Sequence, residues 1–254
     1  LILSPHSPCR EWKALFTKEW ESPNEYDDTI FGVDVSHHNK EIDWKMLHNE
    51  GNISFAYIKA TEGASYVDPC FYKNIKEARE NLIDVGAYHY FTMNTSGVEQ
   101  FWNFYNTINK INYFDLKPVL DLEPPTLKNL NKIYSEMDKD KYAKEVNTFI
   151  NLCEKYLHES PVIYCQQYHY DATLLDKVIT NFCSYQIWCG IEFVRKGNEV
   201  VVKKPWSNDC VLWQYKQAPI NNHGFFDINI TTNGKYSELT DYKKLRLPEG
   251  KGFL

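Results

Sequence analysis

The sequence has no run of about 18 apolar residues, so nothing in it reads as a membrane-spanning helix. It has no surplus of positive charge either: 28 Lys+Arg stand against 34 Asp+Glu, a formal net charge of −6. That balance argues against a nucleic-acid or anionic-membrane partner, which would want a basic face. Several short chemical signatures are missing as well. There is no GxGxxG and no P-loop, no GxSxG elbow for a serine nucleophile, and no CxxC. Neither HxxxH nor HxH occurs; His37 and His38 are adjacent and would face opposite ways on an extended segment, so no metal is expected. No cofactor is implied.

What is present describes a folded chain. Of 254 residues, 43% are apolar and 24% charged, which excludes a disordered protein. A domain of this length buries roughly 70–75% of its unfolded surface, enough for one large core or barrel. Aromatic residues make up 15% (Trp 7, Tyr 18, Phe 14); most belong in a core, and some suit a cleft that stacks on flat rings. The cysteines at 9, 70, 153, 165, 183, 189 and 210 are odd in number. The chain begins at Leu1 without Met, and Asn52-Ile53-Ser54, Asn94-Thr95-Ser96 and Asn229-Ile230-Thr231 fit the glycosylation sequon. Both features suit a secreted or cell-envelope protein whose leader has been removed.

Residues 1–29 are polar, acidic around Glu19–Asp28, and read as an N-terminal arm. From there to 254 the chain reads as one barrel domain. Short apolar strands are expected at Phe31–Val35, Ile53–Lys59, Val85–Phe91, Pro118–Glu123, Val162–Gln166, Gln186–Cys189, Val211–Tyr215 and Phe226–Ile230. Helices alternate with the early ones. Asp68-Pro69 reads as an N-cap with proline at the first helical position, ahead of Ile75, Ala78 and Leu82 on one face. Ser96-Gly97-Val98-Glu99 reads as a capping box before Phe101–Ile108. Val146, Phe149, Ile150, Cys153 and Leu157 form the stripe of a long helix over 139–158. Eight strands with alternating helices predict an α/β fold, an irregular (β/α)8 TIM-like barrel. Its last third is β-rich, with a hairpin insertion at Phe193–Lys203 around Lys196-Gly197-Asn198.

Barrel enzymes carry their chemistry at the C-terminal ends of strands. Those ends supply Asp34, then Lys59 and Glu62, His89 with Tyr90, and Asp121 with Glu123. Tyr164 and Gln166, Trp188, Gln214 and Tyr215, and finally Asp227 and Asn229 complete the ring. In Asp121-Leu122-Glu123 the acids stand at i and i+2, so both project to one face of a strand while Leu120 and Leu122 pack on the other. Crowded carboxyls in apolar surroundings cannot all ionise, and at least one pKa should rise. Glycoside hydrolysis needs such an arrangement: one acid protonates the leaving oxygen and another serves the oxocarbenium-like centre. The other reading has these acids capping strand ends or pairing with Lys59. His89 reads, on residue type alone, more as a hydrogen-bonded rim group than as a catalyst.

The motifs Phe31-Gly32-Val33-Asp34-Val35-Ser36-His37, Phe55–Gly63, Ser65–Pro69 and Gly86-Ala87-Tyr88-His89-Tyr90-Phe91 resemble those of the family-25 glycoside hydrolases, barrel-fold lysozymes of bacterial cell walls. Pro118–Glu123, Pro161–Tyr164, Leu212–Tyr215 and Asp227–Asn229 match in the same order, so the resemblance spans about 31–245. It implies that Asp34, Asp121, Glu123 and Asp227 are the catalytic carboxyls and Glu123 the general acid/base. The anomeric centre would be served by a carboxylate nucleophile or by the substrate's own acetamido group oriented by an Asp. It implies hydrolysis of the β-1,4 bond between N-acetylmuramic acid and N-acetylglucosamine in peptidoglycan glycan strands, by a monomer. Lys59, Glu62, His89, Tyr90, Tyr164, Gln166, Trp188, Gln214, Tyr215 and Asn229 would bind substrate. Three features depart from the family pattern: Trp188-Cys189-Gly190 replaces Trp-Ile-Ala, the 193–203 hairpin is extra, and 1–29 has no counterpart. A chitinase-like barrel is the rival enzyme, but its Asp-x-x-Asp-x-Asp-x-Glu would require acids where Leu116 and Val119 stand. A non-catalytic glycan-binding barrel is the rival from another class. A last expectation is structural: were the strands ending at Cys189 and beginning at Cys210 antiparallel neighbours, those cysteines would oppose each other within reach of a disulfide. Parallel pairing would exclude the bridge.

Overall fold

The structure, a computed structural model, describes residues 29–240 apart from 192, 197–198, 203–204, 206, 208–209, 221–224 and 232–234. The expected N-terminal arm falls outside these residues up to position 28. The strands are β1 (Phe31–Val35), β2 (Ile53–Glu62), β3 (Tyr66–Val67), β4 (Asp84–Tyr90), β5 (Val119–Leu122), β6 (Val162–Cys165), β7 (Ile187–Cys189), β8 (Phe193–Lys196), β9 (Glu199–Val202), β10 (Cys210–Pro219) and β11 (Phe225–Thr231). All eight expected strands are there, within a few residues at their ends. β8 and β9 pair antiparallel as the expected hairpin, its turn at 197–198 lying outside the described residues.

β1, β2, β4, β5, β6, β7, β10 and β11 close into an eight-stranded barrel. Neighbours from β1 round to β10 run parallel, whereas β11 runs antiparallel to both β10 and β1. The reason is chain length. Parallel neighbours need a crossover of a dozen or more residues, and helices such as Phe71–Glu80 and Gly97–Ile108 supply it early on. Only five positions separate Pro219 from Phe225, so the last two strands form a hairpin.

The pleat divides the apolar residues into two cores. Outside the barrel, Val33, Ile58, Leu120 and Leu122 pack on Phe101, Phe104, Val146 and Phe149 from the helices. Inside it, Phe55, Tyr57, Val119, Val162, Tyr164 and Trp188 fill the lumen, with the Tyr57 and Tyr164 rings each 5.1 Å from Trp188. These large rings demand small neighbours. A Cβ on Gly32 would lie 2.2 Å from the Phe55 ring, and one on Gly86 would lie 2.4 Å from Tyr57. The interior is therefore a packed floor on which a site can rest.

Local details correct several expectations. The helix after Asp68 begins at Phe71 with Cys70 as N-cap; Asp68 instead accepts from Cys70 N and, through Oδ2, from His37 N. Leu82 lies beyond that helix at φ 61° and is 79% exposed, not on the buried face. The next helix starts at Gly97, where Ser96 Oγ accepts from Glu99 N. The long helix, Lys139–Tyr156, buries the predicted stripe. His37 and His38 sit in a 3-10 turn, not an extended segment, and their ring centroids lie 3.9 Å apart with the planes tilted by 39°. Asn229 is fully buried, so its sequon is closed to glycosylation in the folded protein. β7 and β10 are parallel, with Cys210 opposite Ile187, and no disulfide joins Cys189 to Cys210. Hydrogen bonding to Cys189 lowers the Cys210 thiol pKa.

Candidate active site

A cleft of about 720 Å³ opens on the rim where the parallel strands end, and Asp34, Asp121, Glu123 and Asp227 all line it. On β5, alternation turns Leu120 and Leu122 outward and Asp121 inward, and Glu123 just past the strand follows Asp121. Asp34 reaches the rim at the end of β1. Asp227 reaches it by the opposite route: β11 is antiparallel, so the rim receives its beginning rather than its C-terminal end, and Asp227 pairs in register with Asp34.

Two bulges shape the walls. The register of β2 on β4 skips Ala60, so Lys59 and Glu62, three apart, both face the cleft, and Lys59 Nζ donates to Glu62 Oε2 at 2.6 Å. Lys59 also lies 4.8 Å from the Tyr90 ring centroid. The register of β10 on β11 skips Tyr215 in the same way, which brings both Gln214 and Gln217 to the cleft. Gln217 Nε2 then donates to Asp227 Oδ1 at 2.8 Å.

Asp34 Oδ2 accepts from Asn229 Nδ2 at 2.7 Å and Gln214 Nε2 at 3.0 Å. Behind these amides, Trp188 Nε1 donates to Asn229 Oδ1 and the Tyr164 hydroxyl donates to Gln214 Oε1. All four carboxyls are raised above their ordinary pKa. Burial and the Asp227 charge push Asp34 up to about 8. Burial and the Glu123 charge hold Asp121 well above the carboxylate range. Burial raises Glu123 against the pull of the Tyr164 hydroxyl, and burial raises Asp227. Such a cluster keeps a carboxylic acid protonated beside other carboxyls, the condition for general acid catalysis.

Of the other expected site residues, Lys59, Glu62, Tyr90, Tyr164, Gln166, Trp188 and Gln214 line the cleft. Gly190 makes room for Gln166, whose Cγ would meet a Cβ there at 2.5 Å. Three residues are placed elsewhere. His89 points between barrel and helices, fully buried, its ring 4.9 Å from Phe149. Burial lowers it to about 3 and keeps it neutral. Its Nε2 faces Gln100 Oε1 and must donate, so Nδ1 accepts from Thr61 Oγ1. Tyr215, the bulge residue, packs against Phe31 and Trp213. Asn229 acts on Asp34 from behind. The cleft also takes His38, Tyr88, Tyr168 and Gln217, none of them among the expected site residues. Tyr88 was legible, since it stands two before Tyr90; Gln217 depends on the bulge and had no signal. No cluster of His, Cys, Asp and Glu that could hold a metal ion occurs among the described residues.

The comparisons agree with this geometry. YegX of Escherichia coli strain CFT073, an uncharacterised protein, is 30% identical over 223 residues, covering 84% of this chain and 73% of that one. Lysozyme M1 of Streptomyces globisporus is 46% identical over 67 residues, 26% of this chain and 22% of that one. A family 25 glycosyl hydrolase from Bacillus anthracis superposes with a TM-score of 0.67 at 25% identity, covering 87% of this chain and 96% of the other. The model of the glycosyl hydrolases family 25 matches residues 33–223. With three quarters of its length inside that match and its carboxyls gathered on the barrel rim, the chain belongs to family 25 of the glycosyl hydrolases and is a glycoside hydrolase.

Proposed function

We propose that this enzyme is a muramidase, cleaving the β-1,4 bond between N-acetylmuramic acid and N-acetylglucosamine in bacterial peptidoglycan. The observation that carries the reading is the convergence of Asp34, Asp121, Glu123 and Asp227 on one cleft with every carboxyl raised. Glu123 gives its proton to the bridging oxygen as the C1–O bond breaks, and the leaving sugar departs with a new hydroxyl. Asp121 orients the acetamido group or meets the anomeric carbon. The Glu123 carboxylate then takes a proton from water, whose oxygen bonds to C1 as the acetamido oxygen or the Asp121 carboxylate leaves it. Asp34 and Asp227 hold sugar hydroxyls and tune the charge. Lys59, Glu62, Tyr90, Tyr164, Gln166, Trp188 and Gln214 line the path of the glycan.

The catalytic unit is 30–254, with 1–29 as an arm, and it works as a monomer, because β1, β5 and β11 of one chain supply all four acids. Its place of action is outside the cell or in the envelope, where peptidoglycan lies. Clearing of purified cell walls, with mass spectrometry of the new reducing ends, tests the reading. Reducing-end N-acetylmuramic acid is the expected product. N-acetylglucosamine at that end, or binding without cleavage, overturns it.

A further inference from the structure

Two hydrogen-bond chains end on a single oxygen of Asp34, and the donor-only far end of the first gives that chain its direction. Trp188 Nε1–H can only donate, and it donates to Asn229 Oδ1 at 2.9 Å. That contact fixes the amide, so Asn229 turns its NH2 to Asp34 Oδ2 at 2.7 Å. In the second chain the Tyr164 hydroxyl donates to Gln214 Oε1 at 3.0 Å, and Gln214 Nε2 donates to Asp34 Oδ2 at 3.0 Å. Asn229 and Gln214 are both buried. Oδ2 is therefore held as an acceptor twice over, and a proton on this carboxyl belongs on Oδ1.

The charges around Asp34 favour that proton. Asp227 opposes it in register across β11, and Asp121 and Glu123 share the cleft from β5 and its end. Lys59 of β2 is engaged by Glu62, and His38 stands at the cleft edge on the turn after β1. Burial and the Asp227 charge outweigh the two amide bonds and raise the carboxyl. A protonated carboxyl keeps both amide bonds, because its carbonyl oxygen accepts both, though each is weaker than it would be to a carboxylate.

We propose that Asp34 works as a neutral carboxylic acid, with carbonyl Oδ2 locked by Asn229 and Gln214, and donates the hydrogen on Oδ1 to an oxygen of the bound sugar. It is then neither nucleophile nor base. The kinetic test of this role rests on the muramidase reading; the titration does not.

Asn is the isostere of a protonated Asp: its carbonyl accepts and its NH2 donates. Asp34→Asn should clear cell walls within about tenfold of wild type, while Asp34→Ala loses about 10²-fold or more, the range of a positioned proton-handling group. An Asn variant as inactive as the Ala variant overturns the proposal. Should Asp34→Asn fail to fold, the wild type decides alone. The carboxyl carbon of Asp34, assigned through its own backbone in 13C-labelled protein, should keep its protonated chemical shift through neutral pH. Ionisation complete at or below neutrality overturns the assignment. If wild type clears no wall yet Asp34 titrates as expected, the muramidase reading fails and with it the donation to a sugar, while the neutral Asp34 stands.

Discussion

β5 and the closing β10–β11–β1 segment each bring two carboxyls to the rim, and they do so differently. β5 uses a period of two along one strand, so Asp121 and Glu123 stand on one face by alternation. The closing segment uses register between strands, setting Asp34 opposite Asp227, and a bulge at Tyr215 that aims Gln214 and Gln217 at them. The polar surroundings differ too. Asp34 and Asp227 are gripped by side-chain amides, whereas Asp121 Oδ1 is buried with no partner among the described residues. Amide donors fix a carboxyl's orientation, and a buried oxygen without one is left for a ligand or water to satisfy. On the proposed mechanism, the difference matches holding by the closing segment and chemistry at β5.

Substitutions on the two sides should break or sharpen that division. Glu123→Gln keeps shape and removes the proton, and it should cost about 10²–10⁴ in wall hydrolysis with circular dichroism unchanged. A variant within threefold of wild type would move the chemistry off β5. Gln214→Leu should cost about tenfold, because Asp34 keeps its Asn229 donor while Tyr164 loses its acceptor. The fold should lose about 1–3 kcal/mol, read by denaturant titration. A loss as large as that of Glu123→Gln would erase the distinction. The pH profile is milder. Glu123 must be protonated to donate, and its pKa is raised, so kcat/KM should hold through acid pH and fall as pH rises past that pKa. A flat profile up to about 8, where Asp34 titrates, would count against Glu123 as acid. The smallest catalytic effect is expected at His89. His89→Leu should leave KM and kcat nearly unchanged while costing about 1–3 kcal/mol of stability, because Thr61 and Gln100 lose a buried partner. A changed KM would put His89 back among the substrate contacts.

His89 shows where reading from sequence stops. Gly86-Ala87-Tyr88-His89-Tyr90-Phe91 alternates, so placing Tyr90 in the cleft already sends His89 outward. Choosing which set faces in still needs the barrel's closure. The cysteines make the same point: Cys189 and Cys210 lie on strand ends as expected, but only the structure shows their strands parallel and their thiols hydrogen-bonded instead of bridged.

The sequence by itself determined the eight strands, the early crossover helices and the Asp-x-Glu face, because apolar periodicity and capping act within a few residues. It also marked Asp34 and Asp227 as acids at strand termini. Only the tertiary structure decided that β11 runs backward and so presents its beginning at the rim. The same holds for the bulges at Ala60 and Tyr215, which turn Glu62 and Gln217 inward, and for Asn229 lying behind Asp34 instead of beside the sugar. Each depends on hydrogen-bond register between strands far apart in the chain, and no local pattern of residues encodes which carbonyl an amide will meet.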